Sequence, residues 1–399
     1  MTEIKDKCNW NELAEKGNSY EEIRIALNGL KSYCSKLDKV KIYGKNNEFK
    51  DEFKQDLESK IAQIFENSSL TLTKTEVGSM RKSFLKNLKE YLDLIVLRKA
   101  FAQISFSQYP LFRFFEALSS FTDEAEFEVL KDKLRITISD PSRIGLMRIA
   151  FNSDSFKFFR LGKVGINLDD LKDLLKCNAK DGSTVSLVFT EEELVMNITS
   201  TKRKRTITRT LKHIDFELQE IPMDVLNNIV YPFAFDMTKD DFVDLIANSG
   251  RYSEILKIEA NPRVIVFSES SNKGNSEIDF KKGNLVSLRF QKERLLLELE
   301  GEENQESKEA IKQALKEKSS AGSYSLSFLG IIKSFSNILD PQDKISFSLK
   351  TDTPFKTEIS FKKLSSTKLT YYLAPRVPEE DYQEEDFDES EEESEQDQL

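Results

Sequence analysis

From Phe101 onward, apolar and polar residues alternate with a period of two, and four short amphipathic stretches of helical spacing interrupt that alternation. This recurrence constrains the fold more than any single motif. A strand, a helix and further strands repeated four times point to half-buried antiparallel sheet interrupted by short helices. The alternation is clear in "KLRITISD", where Leu134, Ile136 and Ile138 share a face, and in "ELVMNITS", where Leu194, Met196 and Ile198 do. It returns in "LVSLRF" at 285–290, "RLLLELE" at 294–300 and "KISFSLK" at 344–350, all read as strands. The helical stretches are "PLFRFFEALSSF" from Pro110, "NLDDLKDLLKC" from Asn167, "TKDDFVDLIANS" from Thr238 and "SLSFLGIIKSFSNIL" from Ser325, each with an apolar face such as Leu168, Leu171 and Leu175. The last two units stand further apart, and the polar stretch 301–320, "GEENQESKEAIKQALKEKSS", accounts for the excess as an insertion holding a short helix. The pattern predicts two similar halves joined near "LKHIDFELQEIPMDVLNN".

Residues 1–100 follow a different rule. "SYEEIRIALNGLKSYCSKL", "NEFKDEFKQDLESKIAQIFE" and "TKTEVGSMRKSFLKNLKEYLDLIVLRKAF" place apolar residues three or four apart, which predicts an all-α domain ahead of the sheets. Thr73 and Glu76 have the spacing of a capping box at the start of the third helix.

Charge is distributed unevenly. The chain carries −10, yet residues 379–399 hold thirteen Asp or Glu and no Lys or Arg, so without them the remainder stands at +3. Such a segment has too few apolar groups to offset the entropy of ordering it and is expected to be disordered. It reads as a solubilising tail or as an internal competitor for basic surfaces.

Catalytic chemistry finds little support. Cys8, Cys34 and Cys177 are far apart and odd in number, which argues against a disulfide framework or a metal-ligand spacing and for a reducing compartment. His213 is the only histidine, there is no GxxxxGK loop, and neither metal nor cofactor is expected. Acid pairs such as Asp169 and Asp170 lie on what should be solvent-facing helix, although a nuclease with carboxylate-bound magnesium stands as the catalytic alternative. No apolar run approaches the roughly 20 residues of a membrane span, and "MTEIKDKCNW" lacks a hydrophobic signal core. A soluble intracellular protein with no membrane partner is expected.

Four segments carry a resemblance. The ending "YYLAPRV" resembles a C-terminal "YLAPK" segment, "HIDFELQEIP" an interdomain connector, "ITISDPSRIGLMRI" an early strand, Asp-containing turn and strand, and "FAQISFSQYPLFRFFEAL" a first strand and helix. All four are similar to proliferating cell nuclear antigen, the DNA sliding clamp of eukaryotes and archaea, and the similarity spans residues 101–377. The resemblance implies an α+β clamp fold of two similar domains, with antiparallel sheets outside and four helices lining a ring, here preceded by the all-α domain. Its divisions would be a helical domain at 1–100, a first clamp domain at 101–208, a connector at 209–232, a second clamp domain at 233–377 with the insertion 301–320, and the acidic tail at 378–399. The implied function is a non-enzymatic processivity factor, a trimeric ring that encircles double-stranded DNA without reading its sequence. Its partners would be DNA polymerase, clamp loader, nuclease and ligase through short peptides, with further copies of itself or clamp paralogues in the ring. The implied location is cytoplasmic or nucleoid-associated in an archaeon and nuclear in a eukaryote. A clamp-like adaptor in a heteromeric checkpoint or replisome-scaffold complex is the alternative.

The resemblance also assigns surfaces. Its partner-peptide pocket falls on Leu146, Ile221, Pro222, Pro354, Tyr372, Leu373 and Ala374, which would make "YYLA" the floor of a partly open groove. Ser139 and Arg143 replace the hydrophobic residue and the His common in the family, so the preferred peptide should differ. Toward DNA, Lys172 and Lys176 are four apart, on a face roughly opposite Leu171 and Leu175 that suits phosphates, and Arg113, Lys239, Arg251 and Lys333 hold comparable places. Asp240, Asp241 and Asp244 weaken that signal. The basic run "TKRKRTITR" at 201–209, with Lys202, Arg203, Lys204 and Arg205, falls where the family presents an edge strand to the next subunit. The matching edge falls on "NSEIDF", with Glu277, Ile278 and Asp279. Opposite charges across those edges favour closure by identical copies. DNA contact is the second reading of the basic run. The helix "SMRKSFLKNLKEYLDLIVLRKAFAQI" resembles the helical domain of GINS, the tetramer that accompanies the replicative helicase, which would make that helicase or GINS a partner; a lineage-specific helical module docked on the ring for partner recruitment is the alternative.

Overall fold

The structure is a computed structural model and describes residues 18–44, 47–66, 73–152, 156–200, 202–215, 223–291, 295–296, 299–300 and 305–376. The acidic tail and the connector residues Ile221 and Pro222 lie outside the described residues.

The N-terminal segment folds as helices α1 (Asn18–Ser35), α2 (Lys39–Ile42), α3 (Asp51–Glu66) and α4 (Lys74–Leu92). Their apolar stripes meet in one core: Ile23, Leu27, Leu30 and Cys34 from α1, Phe53, Leu57 and Ile61 from α3, and Met80, Phe84, Leu88 and Leu92 from α4. Burial pushes the Cys34 thiol up to about 11, as expected for a packed rather than a reactive cysteine. The capping box forms as the spacing predicts, the Thr73 hydroxyl accepting from the Glu76 N–H while the Glu76 carboxylate accepts from the Thr73 N–H. One π-helical turn, Asp93–Leu97, follows α4.

Beyond it come β1 (Ala102–Ser107), α5 (Gln108–Ser119), β2 (Glu124–Val129), β3 (Leu134–Ser139), β4 (Gly145–Phe151), β5 (Lys157–Phe158), β6 (Gly162–Asn167), α6 (Leu168–Leu175), β7 (Ser183–Phe189), β8 (Glu193–Ser200) and β9 (Arg205–Lys212). The second half contains α7 (Met223–Asn227), β10 (Phe233–Thr238), α8 (Lys239–Asn248), β11 (Ile255–Ala260), β12 (Val264–Ser271), β13 (Gly274–Lys281), β14 (Ser287–Phe290), α9 (Gln305–Lys316), β15 (Ser320–Ser325), α10 (Leu326–Ser334), β16 (Lys344–Leu349), β17 (Phe355–Phe361) and β18 (Thr367–Leu373).

The four sequence repeats become four junctions in which a strand runs straight into a helix: β1 into α5, β6 into α6, β10 into α8 and β15 into α10. Ser107, Asn167, Thr238 and Ser325 stand at those junctions in extended conformation. The Asn167 and Thr238 side chains accept from the backbone N–H groups of Asp170 and Asp241, satisfying donors that a helix start leaves open. α5 packs on α6, and α8 on α10.

Among the described residues three antiparallel sheets form. One runs β5-β1-β7-β8-β9 and another β13-β12-β11-β15. The third, β14-β10-β16-β17-β18-β4-β3-β2-β6, unites the halves through the β18–β4 pair. Gly145 opens β4 where a Cβ would meet the Tyr371 hydroxyl oxygen at 2.8 Å and the Phe121 ring at 3.0 Å, so any side chain there would have to displace those rings. Phe114 is fully buried and makes ring contacts with Phe151 of its own half and with Phe335 and Phe361 of the other. Truncating such a ring to Ala costs about 3–5 kcal/mol.

One strand expectation fails. In "RLLLELE", Leu295, Leu296, Leu299 and Glu300 lie in helical turns, and Leu295 is buried against Ile311 and Ala314 of α9, with Val230 and Leu299 at its margin. Three successive leucines satisfy either period, and the apolar face of α9 selects the helical one. Among the described residues no helix is long and apolar enough to cross a membrane.

The helical segment docks through residues that a one-sided strand would not spend on apolar groups. Val188 and Val195 are a register pair between β7 and β8. They form a separate cluster with Ala100, Leu94 and Phe159, while their neighbours Leu187, Phe189, Leu194 and Met196 enter the main core. Alternation therefore sets this patch on the sheet face opposite α5 and α6. Tyr91 meets Phe159 edge-on at 5.9 Å, and Glu191 accepts from both Lys99 (2.9 Å) and Arg160 (2.7 Å). Sequence reasoning missed this seam. Its signal was the doubled apolar positions in "SLVF" and "ELVM".

Candidate functional site

Three surfaces contain the residues nominated from the sequence. The first surrounds β18. Tyr372 pairs with Leu146 across the β18–β4 ladder, and the Ala374 N–H donates to the Ile144 carbonyl at 2.8 Å. Pro354 is joined to the same patch by Tyr231, whose hydroxyl donates to the Pro354 carbonyl at 2.8 Å. Burial and the neighbouring Tyr372 hold the Tyr231 phenol well above its ordinary range, so it stays a neutral donor. Tyr231 was not nominated from the sequence, and only its position beside Pro232 at the end of the connector pointed to it.

Two expectations need correction here. Leu373 is fully buried with Tyr371 on the core side of β18, because successive strand residues face opposite ways, so it cannot share a surface with Tyr372. Tyr372 and Leu146 are only 5% and 8% exposed, so the floor is nearly closed rather than partly open. The turn beneath it is fixed by Asp140, whose carboxylate accepts from the backbone N–H groups of Ser142 and Gly145. Arg143 takes a left-handed φ of 58° in that turn.

The second surface is the set of helices. Arg113 pairs with Glu116, Lys172 with Asp169, and Lys239 with Asp240 at 2.9 Å. The Lys172 ammonium holds the Asp169 carboxyl below its ordinary range. Lys176 is the C-cap of α6, past the last helical turn, and lines a cavity with Arg203, Arg205 and Arg209 instead of sharing the Lys172 face. Arg251 is exposed in the turn after α8, and Lys333 lies half-buried in the last turn of α10. Asp240, Asp241 and Asp244 stay on α8, the first two in its first turn, where the helix N-terminus favours carboxylates.

The third surface is the pair of sheet ends. Among the described residues β9 bonds only to β8, and β13 only to β12, so each keeps one side open there. Arg205 is exposed in β9, with Lys202, Arg203 and Lys204 in the turn before it, and Glu277 and Asp279 are exposed in β13 on either side of half-buried Ile278.

This arrangement of sheets, helices and open edges matches known proteins. Residues 103–225 match the family model described as proliferating cell nuclear antigen, N-terminal domain. The crystal structure of that antigen from Thermococcus kodakaraensis superposes with a TM-score of 0.53 at 15% identity, covering 69% of this chain and all of that one. Residues 102–373 carry the sliding-clamp fold. Relatives named DNA polymerase sliding clamp have the same reach. The one from Thermofilum pendens is 25% identical over 267 residues, covering 66% of this chain and 93% of its own length. Sliding clamp 1 of Pyrobaculum aerophilum is 23% identical over 265 residues, covering 66% and 92%. A shorter match, to sliding clamp 3 of Sulfurisphaera tokodaii, is 29% identical over 176 residues, covering 43% and 68%. The helical segment α1 to α4 precedes the residues matched by the clamp family model.

Among the described residues no group of three or more His, Cys, Asp or Glu is arranged to hold a metal ion.

Proposed function

We propose that this chain is a DNA sliding clamp that closes into a ring of three copies around duplex DNA and tethers polymerase, loader, nuclease and ligase through short peptides. The observation that carries the reading is the pair of open edges of opposite charge, β9 with Arg205 and β13 with Glu277 and Asp279. Two such strands complete each other's hydrogen bonding when copies join head to tail, and an edge left bare is a liability that a closed ring removes. On this reading the protein is a tether and not an enzyme. The groove around Tyr372, Leu146, Pro354 and Ala374, with Ile221 and Pro222 of the connector, takes the partner peptide. The helices bearing Arg113, Lys172, Lys239 and Lys333, with Arg251 in the turn after α8, face the duplex.

A second reading has its own support. Arg113, Lys172 and Lys239 are each paired to a carboxylate within hydrogen-bond reach, so the helices offer little free positive charge. A clamp-like adaptor in a heteromeric complex, its neighbours supplying the charge, fits that neutrality. Under either reading the helical segment, with its GINS-like last helix, is a recruitment module directed at the helicase side of a replisome.

Light scattering across a range of protein concentrations separates the two. A mass near three times 46 kDa is expected for the homotrimer. A strict monomer would refute it in favour of the adaptor.

A further inference from the structure

A cavity of about 160 Å³ lies between the end of α6 and the open strand β9. Four cations line it, Lys176, Arg203, Arg205 and Arg209, against one carboxylate, Asp181. Its frame is built rather than incidental. Arg209 donates to the Leu174 carbonyl at the end of α6, and Gln108, buried at 4% exposure, donates to the Leu175 carbonyl at 2.9 Å. Among the described residues no carboxylate pairs with Lys176, Arg203 or Arg205, whereas Arg113, Lys172 and Lys239 on the helices each have one. Gathered like charges without counter-ions are costly, and a carboxylate or phosphate held by several guanidinium donors relieves that cost.

We infer that this cavity is an anion-binding site whose occupant is the chain's own acidic tail, residues 379–399. Thirteen carboxylates and no base give that segment the required chemistry at high density. Position allows it as well. The described chain ends at Arg376, three residues past the end of β18, where its N–H donates to the Ser323 carbonyl of β15. In the nine-stranded sheet four steps separate β18 from β6, about 19 Å at the usual strand spacing of ~4.8 Å. α6 begins where β6 ends and adds about 12 Å over its eight residues before Lys176. Fully extended, residues 379–399 reach roughly 70 Å, about twice that path. A tethered acidic peptide then meets the cavity at an effective concentration on the order of millimolar. DNA phosphates, or the acidic strand β13 of another copy, compete for the same cations, so the tail acts as a displaceable plug beside β9. The inference does not require the ring.

The test uses the full chain, a full-length variant with the thirteen tail acids replaced by Asn or Gln, and a fluorescein-labelled synthetic peptide of residues 379–399, read by anisotropy at about 50 mM salt, where screening is weak. The tail-neutral chain should bind the peptide about tenfold more tightly than the unaltered chain, which carries its own competitor. In the tail-neutral background, Lys176→Ser with Arg203→Ser should abolish that binding, and Arg205→Ser alone should weaken it. Lys131→Ser with Lys133→Ser, in the turn between β2 and β3, should leave it unchanged. None of these side chains carries the fold, and thermal melts run alongside check that each variant is folded. Equal affinity in both chains would overturn the inference, as would binding that survives the cavity changes or falls equally with the control pair. A site that takes a short duplex in a cavity-dependent way but not the peptide would also overturn it. Solution mass, measured on the same samples, reports separately on the ring.

Discussion

Tyr372 faces Leu146 across the β18–β4 ladder, so the pair belongs to the ladder that joins the two halves into a continuous sheet and also sets the floor of the proposed peptide groove. Because the floor is nearly closed, a peptide must find its apolar contact at a small aromatic patch. Ile221→Ala with Tyr372→Ala is expected to weaken binding of a short aromatic-bearing peptide at least tenfold, on the order of the 1.4 kcal/mol that such a factor represents, while the solution mass is unchanged. Calorimetric titration checks this, and retained binding would refute the groove.

Reversing the charge of one edge should open the ring. Arg203→Glu with Arg205→Glu sets like charges against Glu277 and Asp279, and monomers are expected by light scattering. Adding Glu277→Lys and Asp279→Lys restores the complementarity and should restore the mass. An unchanged oligomer in the first variant would dismiss the pairing.

Association of an open subunit with linear duplex should depend weakly on salt. Of the six nominated cations, Arg113, Lys172 and Lys239 already hold carboxylates. Roughly three free charges give a slope of about −3 in log K against log salt, rather than about −5 for all six. Anisotropy between about 50 and 200 mM salt measures it. The steeper slope would mean that the helix ion pairs break on binding.

The Thr73 cap offers a test of the helical module alone. Thr73→Ala removes the acceptor for the Glu76 N–H and is expected to cost about 1 kcal/mol. Faster hydrogen exchange confined to the first turns of α4, with no change of mass, is the expected result.

His213 couples stability to pH. Its Nε2 is buried without a hydrogen-bond partner among the described residues, and burial holds its pKa below the ordinary value despite the pull of the Glu191 backbone and of Glu193. The folded state therefore prefers neutral imidazole, and unfolding takes up a proton. The stabilisation is complete above the unfolded pKa of about 6.5 and is lost as pH falls through the lower folded value. Urea midpoints from about pH 7.5 to 5 should fall more for the unaltered chain than for His213→Gln. Parallel curves would sink the prediction.

Local rules decided a great deal. Period-two alternation, polar residues at four strand-to-helix junctions, of which Asn167 and Thr238 cap by side chain, and the Thr73–Glu76 spacing determine elements through neighbours within a few residues, so the sequence alone specified two similar sheet-and-helix halves and the helical segment before them. Tertiary structure decided what depends on distant partners. "RLLLELE" became helical because α9 offered an apolar face. Leu373 turned inward because β18 is covered on that side. Lys176 left the face of Lys172 because α6 stops one residue before it. The cavity between α6 and β9, and the seam of Val188, Val195 and Phe159, join residues tens of positions apart. A period records which side of an element is apolar; what meets that side is set by chain topology, which no local pattern encodes.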